Sequence, residues 1–184
     1  MAKFWIRVVI LAPLLAANIV LFKMIDGELE TACTHKSQQL EFVADSWVAG
    51  QIVADWYRHA VVHGVAAGIV ADVPFILIYV LLLGVIVNQC AIALPQVPRW
   101  PAVAPPLVRA IVVAGIFDLV ENAGMLLELY ARWFVLAPFV SLMALAKWII
   151  LGVAGLYVLL SIGLWVRILA ARGDEQLLLE VSDF

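Results

Sequence analysis

Long apolar runs, each interrupted by one to four charged or amide side chains, dominate the chain. Residues 4–22 carry only Arg7 and Asn18; residues 66–87 carry Asp72; residues 107–127 carry Arg109, Asp118, Glu121 and Asn122; and residues 138–165 carry Lys147. Each run is near or above the roughly 20 apolar residues that the hydrocarbon core of a bilayer demands of a crossing helix. The pattern predicts an all-α integral membrane protein, a bundle of four transmembrane helices. The first run has a rival reading as a cleaved signal peptide, with Ala16 and Ala17 as the small residues after an apolar stretch. The run continues through Leu21 and Phe22, however, long enough to span. A lipoprotein site at Cys33 fails, because Glu30 stands where an aliphatic residue is needed.

Residues 23–64 form the one long connection. From Gln39 onward, Leu40, Val43, Trp47, Ile52, Trp56 and Val61 recur at broadly helical spacing, with Glu41, Asp45, Gln51 and Asp55 between them. This predicts an amphipathic interfacial helix between spans one and two, over about residues 39–64, with Trp47, Trp56 and Tyr57 at headgroup level. Such a helix caps the bundle or serves as a lid over a ligand. The proline-rich residues 94–106 are expected to break helix between spans two and three, since proline lacks the backbone donor and restricts its predecessor. The acidic tail, residues 168–184, is expected to be interfacial or frayed, and residues 1–184 read as a single membrane domain without internal repeats.

Composition agrees with the pattern. The chain has 184 residues, 66% hydrophobic and 14% charged, with a net charge of -3 and a mean hydropathy of +1.08. Globular domains hold roughly 45–50% apolar and about 25% charged residues, so a water-soluble fold of this size could not hide so much apolar surface. The absence of a Lys/Arg run argues against nucleic acid as a partner. Orientation follows from the basic residues flanking the runs. With the N-terminus inside, Lys3, Arg7, Arg99, Arg109, Arg167 and Arg172 face the cytoplasm, and Lys23, Lys36, Arg58 and Arg132 face out. The excess is small, but its strongest element precedes the first span, which usually dominates. Both termini of this multi-pass protein are therefore expected in the cytoplasm.

The candidate chemistry lies in the ionisable residues inside the runs. A charged side chain at the bilayer centre costs about 2.5–3.5 kcal/mol on insertion scales, so such groups turn inward and find partners. On the third span Asp118, Glu121, Asn122 and Met125 share one helix face, and on the second Gly68, Asp72 and Tyr79 do the same. At about 1.5 Å per residue, Asp72 and Glu121 lie roughly 9 Å below the outer surface, and Lys147 and Asp118 roughly 13–14 Å. By the same rise Tyr79 falls roughly 20 Å deep, one layer further in. Asp72, Asp118, Glu121, Asn122 and Lys147 are thus expected to form one polar cluster joining spans two, three and four. Three carboxyls against one ammonium predict that a carboxyl is protonated near neutral pH or that the site takes a cation. Gly64 and Gly68 form a GxxxG pair suited to close packing.

His59 and His63 stand four apart before the second span, a spacing that places two imidazoles on one metal, with His35 and Asp72 as conceivable further ligands. Arg58 beside them disfavours a cation, and a metal-free histidine pair is the plainer reading. Cys33 and Cys90 make neither a CxxC motif nor a metal site, and no cofactor signature is present.

The succession Leu40-Glu41-Phe42-Val43-Ala44 with Trp56, Asp72-Val73-Pro74-Phe75-Ile76 with Tyr79, Asp118-Leu119-Val120-Glu121-Asn122, and Lys147-Trp148 resembles a group of small bacterial membrane proteins of four predicted spans. The shared D-x6-Y, D-x-x-E-N and K-W patterns cover most of the chain. The resemblance implies the architecture and the choice of residues and carries no reaction, since no activity is established for that group. A sterol-isomerase-like membrane fold does not match in its carboxylate positions. Three functions fit the sequence. The first is a bundle that binds or translocates a proton, a cation or the polar head of a lipophilic molecule. The second is a non-catalytic accessory subunit, partnered by another membrane protein or by a second copy. The third is an intramembrane acid/base enzyme, which lacks any accompanying nucleophile or cofactor motif.

Overall fold

The computed structural model describes residues 12–17, 19–20, 35 and 37–182, with side chains through residue 171 apart from Ser37. Its named elements are all helical: α1 (Ser37–Phe42), α2 (Ser46–Arg58), α3 (Val62–Ala93), α4 (Trp100–Tyr130), a 3-10 turn (Phe134–Leu136) and α5 (Ala137–Ser182). Three stretches, Val62–Ala93, Trp100–Tyr130 and Phe134–Ala171, are long and apolar enough to cross a membrane. Most of the expected first span, residues 4–22, lies outside the described residues; within it, residues 12–17 and 19–20 are helical.

The bundle is apolar outward and polar inward. Val70, Leu77 and Leu81 on α3, Ile116 on α4, and Leu145, Ile149 and Val153 on α5 are exposed, whereas Asp118, Glu121, Asn122, Glu128, Lys147 and Ser161 are buried. A solvent of hydrocarbon rewards that distribution and water does not. At 32 and 31 residues, α3 and α4 rise about 46–48 Å, more than the roughly 30 Å of a hydrocarbon core. They tilt or project beyond it.

α4 is the central helix, with α3 along one side and α5 along the other; α3 and α5 meet each other far less. Two glycines permit the close approach. A Cβ on Gly115 would stand 2.7 Å from Val80 Cγ2 on α3, and one on Gly124 would stand 2.5 Å from Val140 Cγ2 on α5. Gly64, by contrast, faces open space, so the expected GxxxG pair does not fasten these helices to one another. The spread of α3 from α5 leaves a cleft whose floor is the polar face of α4.

Apolar cores close the bundle above and below that cleft. At one end α2 buries Ala49, Ile52, Val53 and Trp56 against Val65 and Ile69 of α3, Met125 and Leu129 of α4, and Val140 of α5. At the far end Val87, Ala104, Leu107, Ile111 and Ala154 pack around Tyr157. There the Trp100 and Tyr157 rings stack at 5.0 Å, and Trp100 Nε1 donates to Ser161 Oγ at 2.9 Å. The start of α4 is thereby tied to α5.

Several boundaries depart from expectation. The single helix expected over about 39–64 is divided among α1, α2 and the start of α3; the Asp45 carboxylate accepts from the amides of Trp47 and Val48 at 2.8 and 3.2 Å and so starts α2 anew. At its other end Ala60, in the left-handed region with φ 59°, turns the chain into α3. Trp56, expected among the headgroups, is fully buried with Nε1 donating to His35 O at 3.0 Å, while Trp47 is 70% exposed. α4 begins at Trp100, inside the proline-rich stretch: Pro101 occupies the first turn, where no intrahelical donor is required, and only Pro105 and Pro106 forgo bonds. α5 continues through Ser182, past the span's expected end at Trp165, for Ala, Leu, Arg, Glu and Gln, which favour helix, make up most of residues 166–182.

Candidate functional site

α4 presents Asp118, Glu121, Asn122 and Met125 on one face, as their spacing requires. Lys147, on α5, reaches across to that face and is 6% exposed. Its ammonium lies 2.7 Å from Asp118 Oδ1, 2.8 Å from Glu121 Oε2 and 3.0 Å from Glu41 Oε1. Three carboxylates thus surround the three N–H donors of one ammonium. Asp118 accepts through its other oxygen from the Tyr79 hydroxyl at 2.9 Å. Glu41 accepts from Trp148 Nε1 at 2.8 Å, which fastens α1 to the side of α5.

Asp72, on α3, is held differently. Its Oδ2 accepts from Asn122 Nδ2 at 2.7 Å, and no ion pair reaches it among the described residues. Asp72, Tyr79, Asp118, Glu121, Asn122 and Lys147, all expected from the sequence, are therefore in one connected layer or directly beside it. Tyr79 corrects its expected place one layer deeper: backbone rise locates a Cα, but the long phenol side chain brings the hydroxyl to Asp118.

Glu41 was not anticipated. Its position on an amphipathic helix assigned it to solvent, and only contact with α5 reveals its role. Glu128 is the other surprise. Two helical turns beyond Glu121 and on the same face, it is fully buried, and both its carboxyl oxygens lack a hydrogen-bond partner among the described residues.

The layer borders a cavity of about 620 Å³ between α3 and α5. At the polar end stand Gln38 and Glu41 of α1 with Asp72, Asn122 and Lys147; the body extends along α3 past Leu82 and Leu83 to Ile86. Leu15 and Ile19 of the N-terminal segment also line it. The volume falls in the roughly 300–1,000 Å³ range of small-molecule sites, which are characteristically apolar with a few placed polar groups.

The histidines lie elsewhere. His59 ends α2 and approaches the Asp55 carbonyl at 3.0 Å, whereas His63 belongs to the first turn of α3. The turn at Ala60 separates them, so they do not share the single helix that the i, i+4 metal spacing assumes. Among the described residues no group of three or more His, Cys, Asp or Glu side chains is arranged to hold a metal ion. Compared with protein-family models, with curated proteins and with solved structures, the chain matches none.

Proposed function

We propose that this protein is a membrane-embedded binding protein for a lipophilic molecule with a polar head, seated in the cleft between α3 and α5. The observation that carries the reading is the shape and lining of the 620 Å³ cavity: a charged and amide-bearing end at Asp72, Glu41, Asn122 and Lys147, continued by apolar walls to Ile86. A purely structural ionic lock would need no such space beside it. The head engages the polar end, and the chain lies along α3 for the roughly 21 Å that the helical rise gives between Asp72 and Ile86.

The surrounding proposal is a four-span protein of the bacterial inner membrane. Residues 4–22 supply the fourth crossing, and both termini lie in the cytoplasm, as the basic residues around the first span favour. In that orientation α1 and α2 sit at the outer interface, and exposed Trp47 and Tyr57 suit the headgroup region. The polar end of the cavity then opens toward the outer leaflet, where an amphiphile presents its head.

Native mass spectrometry tests the reading. The full chain, incubated with dodecyl amphiphiles of differing heads, should retain one molecule per protomer. A bulky Leu83→Trp side chain should abolish that retention while leaving helicity intact. Equal retention by both proteins would place the amphiphile outside the cleft, and absence of retention by the wild type would leave the ionic layer as a structural lock.

A further inference from the structure

Charge accounting at the polar end of the cavity identifies the chemistry of the head. Four carboxyl groups, Glu41, Asp72, Asp118 and Glu121, border the cavity with one ammonium, Lys147. That ammonium is fully engaged: its contacts to Asp118, Glu121 and Glu41 are all 3.0 Å or shorter. Asp72 receives only a neutral amide from Asn122, at 2.7 Å, and ion pairing at Asp72 is absent among the described residues.

The second feature is aromatic. Phe75, Tyr79 and Trp148 line the cavity beside these carboxyls, with the Phe75 and Tyr79 rings 5.6 Å apart and inclined at 60°. Aromatic faces grouped with a carboxylate are the surroundings that favour alkylated ammonium groups, which are attracted to the ring quadrupole and are easier to desolvate than a bare metal ion. The molecule already demonstrates the fit. Lys147, itself an alkylammonium, is held by carboxylates with its Nζ 5.8 Å from the centre of the Trp148 ring.

Resting on the proposed amphiphile-binding reading, we infer that the ligand is an alkylammonium amphiphile whose cationic head pairs with Asp72 among Phe75, Tyr79 and Trp148. The head supplies the positive charge that Asp72 lacks, and Asn122 orients the carboxylate by occupying Oδ2, which leaves Oδ1 for the ligand. An anionic head meets Asp72 and Glu41 at close range and is repelled; a neutral head gains the apolar contacts alone. Lys147 stays with its three carboxylates throughout, so binding does not dismantle the layer that joins the helices. A metal cation is a poorer match, since the point where three carboxylates converge is already filled by the Lys147 ammonium, and Asp72 is joined there only by the Asn122 amide.

The experiment uses the full-length protein in nanodiscs and three dodecyl probes, brominated on the chain carbons next to the head, with trimethylammonium, maltoside and sulfate heads. Bromine quenches nearby indoles, and subtracting the signal of a Trp148→Phe variant isolates Trp148 in the cavity wall. The expected result is trimethylammonium binding at least tenfold tighter than maltoside, with sulfate weakest. Asp72→Asn, which preserves size and the bond with Asn122, should bring trimethylammonium to the maltoside value, and Asp72→Glu should restore part of the preference. Trimethylammonium and maltoside binding equally to wild type would overturn the cationic head while leaving the amphiphile site intact. A preference that survives in Asp72→Asn would overturn the assignment to Asp72. Failure of every probe to quench Trp148 would overturn both the site and its head.

Discussion

Glu121 and Glu128 lie on the same face of α4, two helical turns apart and both buried, yet they are supported in opposite ways. Glu121 meets Lys147 at 2.8 Å and shares that cation with two other carboxylates. Glu128 has no hydrogen-bond partner among the described residues and stands beside the apolar core where α2 closes the bundle. Periodicity along the third run marked Glu121 as inward, and the seven-residue spacing sets Glu128, which was not singled out, on the same face; what each found there was determined by the opposing helices. An inward polar residue is thus a signal of depth and direction, and its role is set by the elements that come to meet it.

Removing the cation should have the largest effect on this contrast. Lys147→Met leaves Asp118, Glu121 and Glu41 facing one another, and truncating one side of a buried ionic network costs about 3–5 kcal/mol. Equilibrium unfolding in mixed micelles should register that loss, and an unchanged midpoint would mean that the layer contributes nothing to the bundle. Next is the packing that lies between the two carboxyls. Gly124→Ala drives a Cβ to 2.5 Å from Val140 Cγ2, and overpacking of that kind costs roughly 1–3 kcal/mol. The same substitution at Gly152, which faces open space, should leave stability nearly unchanged. The smallest change belongs to Glu128. Replacing a buried, unpaired polar group by an apolar one of similar shape is nearly neutral or stabilising, so Glu128→Leu should hold or raise the unfolding midpoint. A loss comparable to that of Lys147→Met would show that Glu128 has a partner as strong as that of Glu121.

The far end of the bundle sharpens the lesson. Ser161 and Tyr157 sit in the fourth apolar run without any charge to mark them, yet Trp100 stacks on one and donates to the other. Neither residue stands out along the chain, because a hydroxyl in an apolar helix is common and its partner lies in a proline-rich stretch expected to be loop. Glu41 escaped notice for a related reason: the alternation around it assigns it to the polar face of an amphipathic helix, whereas it ends on the short α1 with its carboxylate 3.0 Å from Lys147 Nζ. It is the closeness of α1 to α5 that converts an edge carboxylate into the third ligand of Lys147.

By itself, the sequence determined the solvent and the layer. Apolar runs of spanning length require hydrocarbon around them, because no water-soluble fold of 184 residues could bury so much apolar surface. The spacing of Asp118, Glu121 and Asn122, with Asp72 and Lys147 at matching depth, requires one inward polar level, because a helix repeats every 3.6 residues and rises by a fixed step. Only the tertiary structure decided which carboxylates share the ammonium and which one does not, and that α3 stands away from α5 far enough to leave a cavity between them. Those outcomes depend on contacts between segments distant in sequence, where a few ångströms of helix separation, set by Gly115 and Gly124, determine whether charged groups pair with one another or line a space.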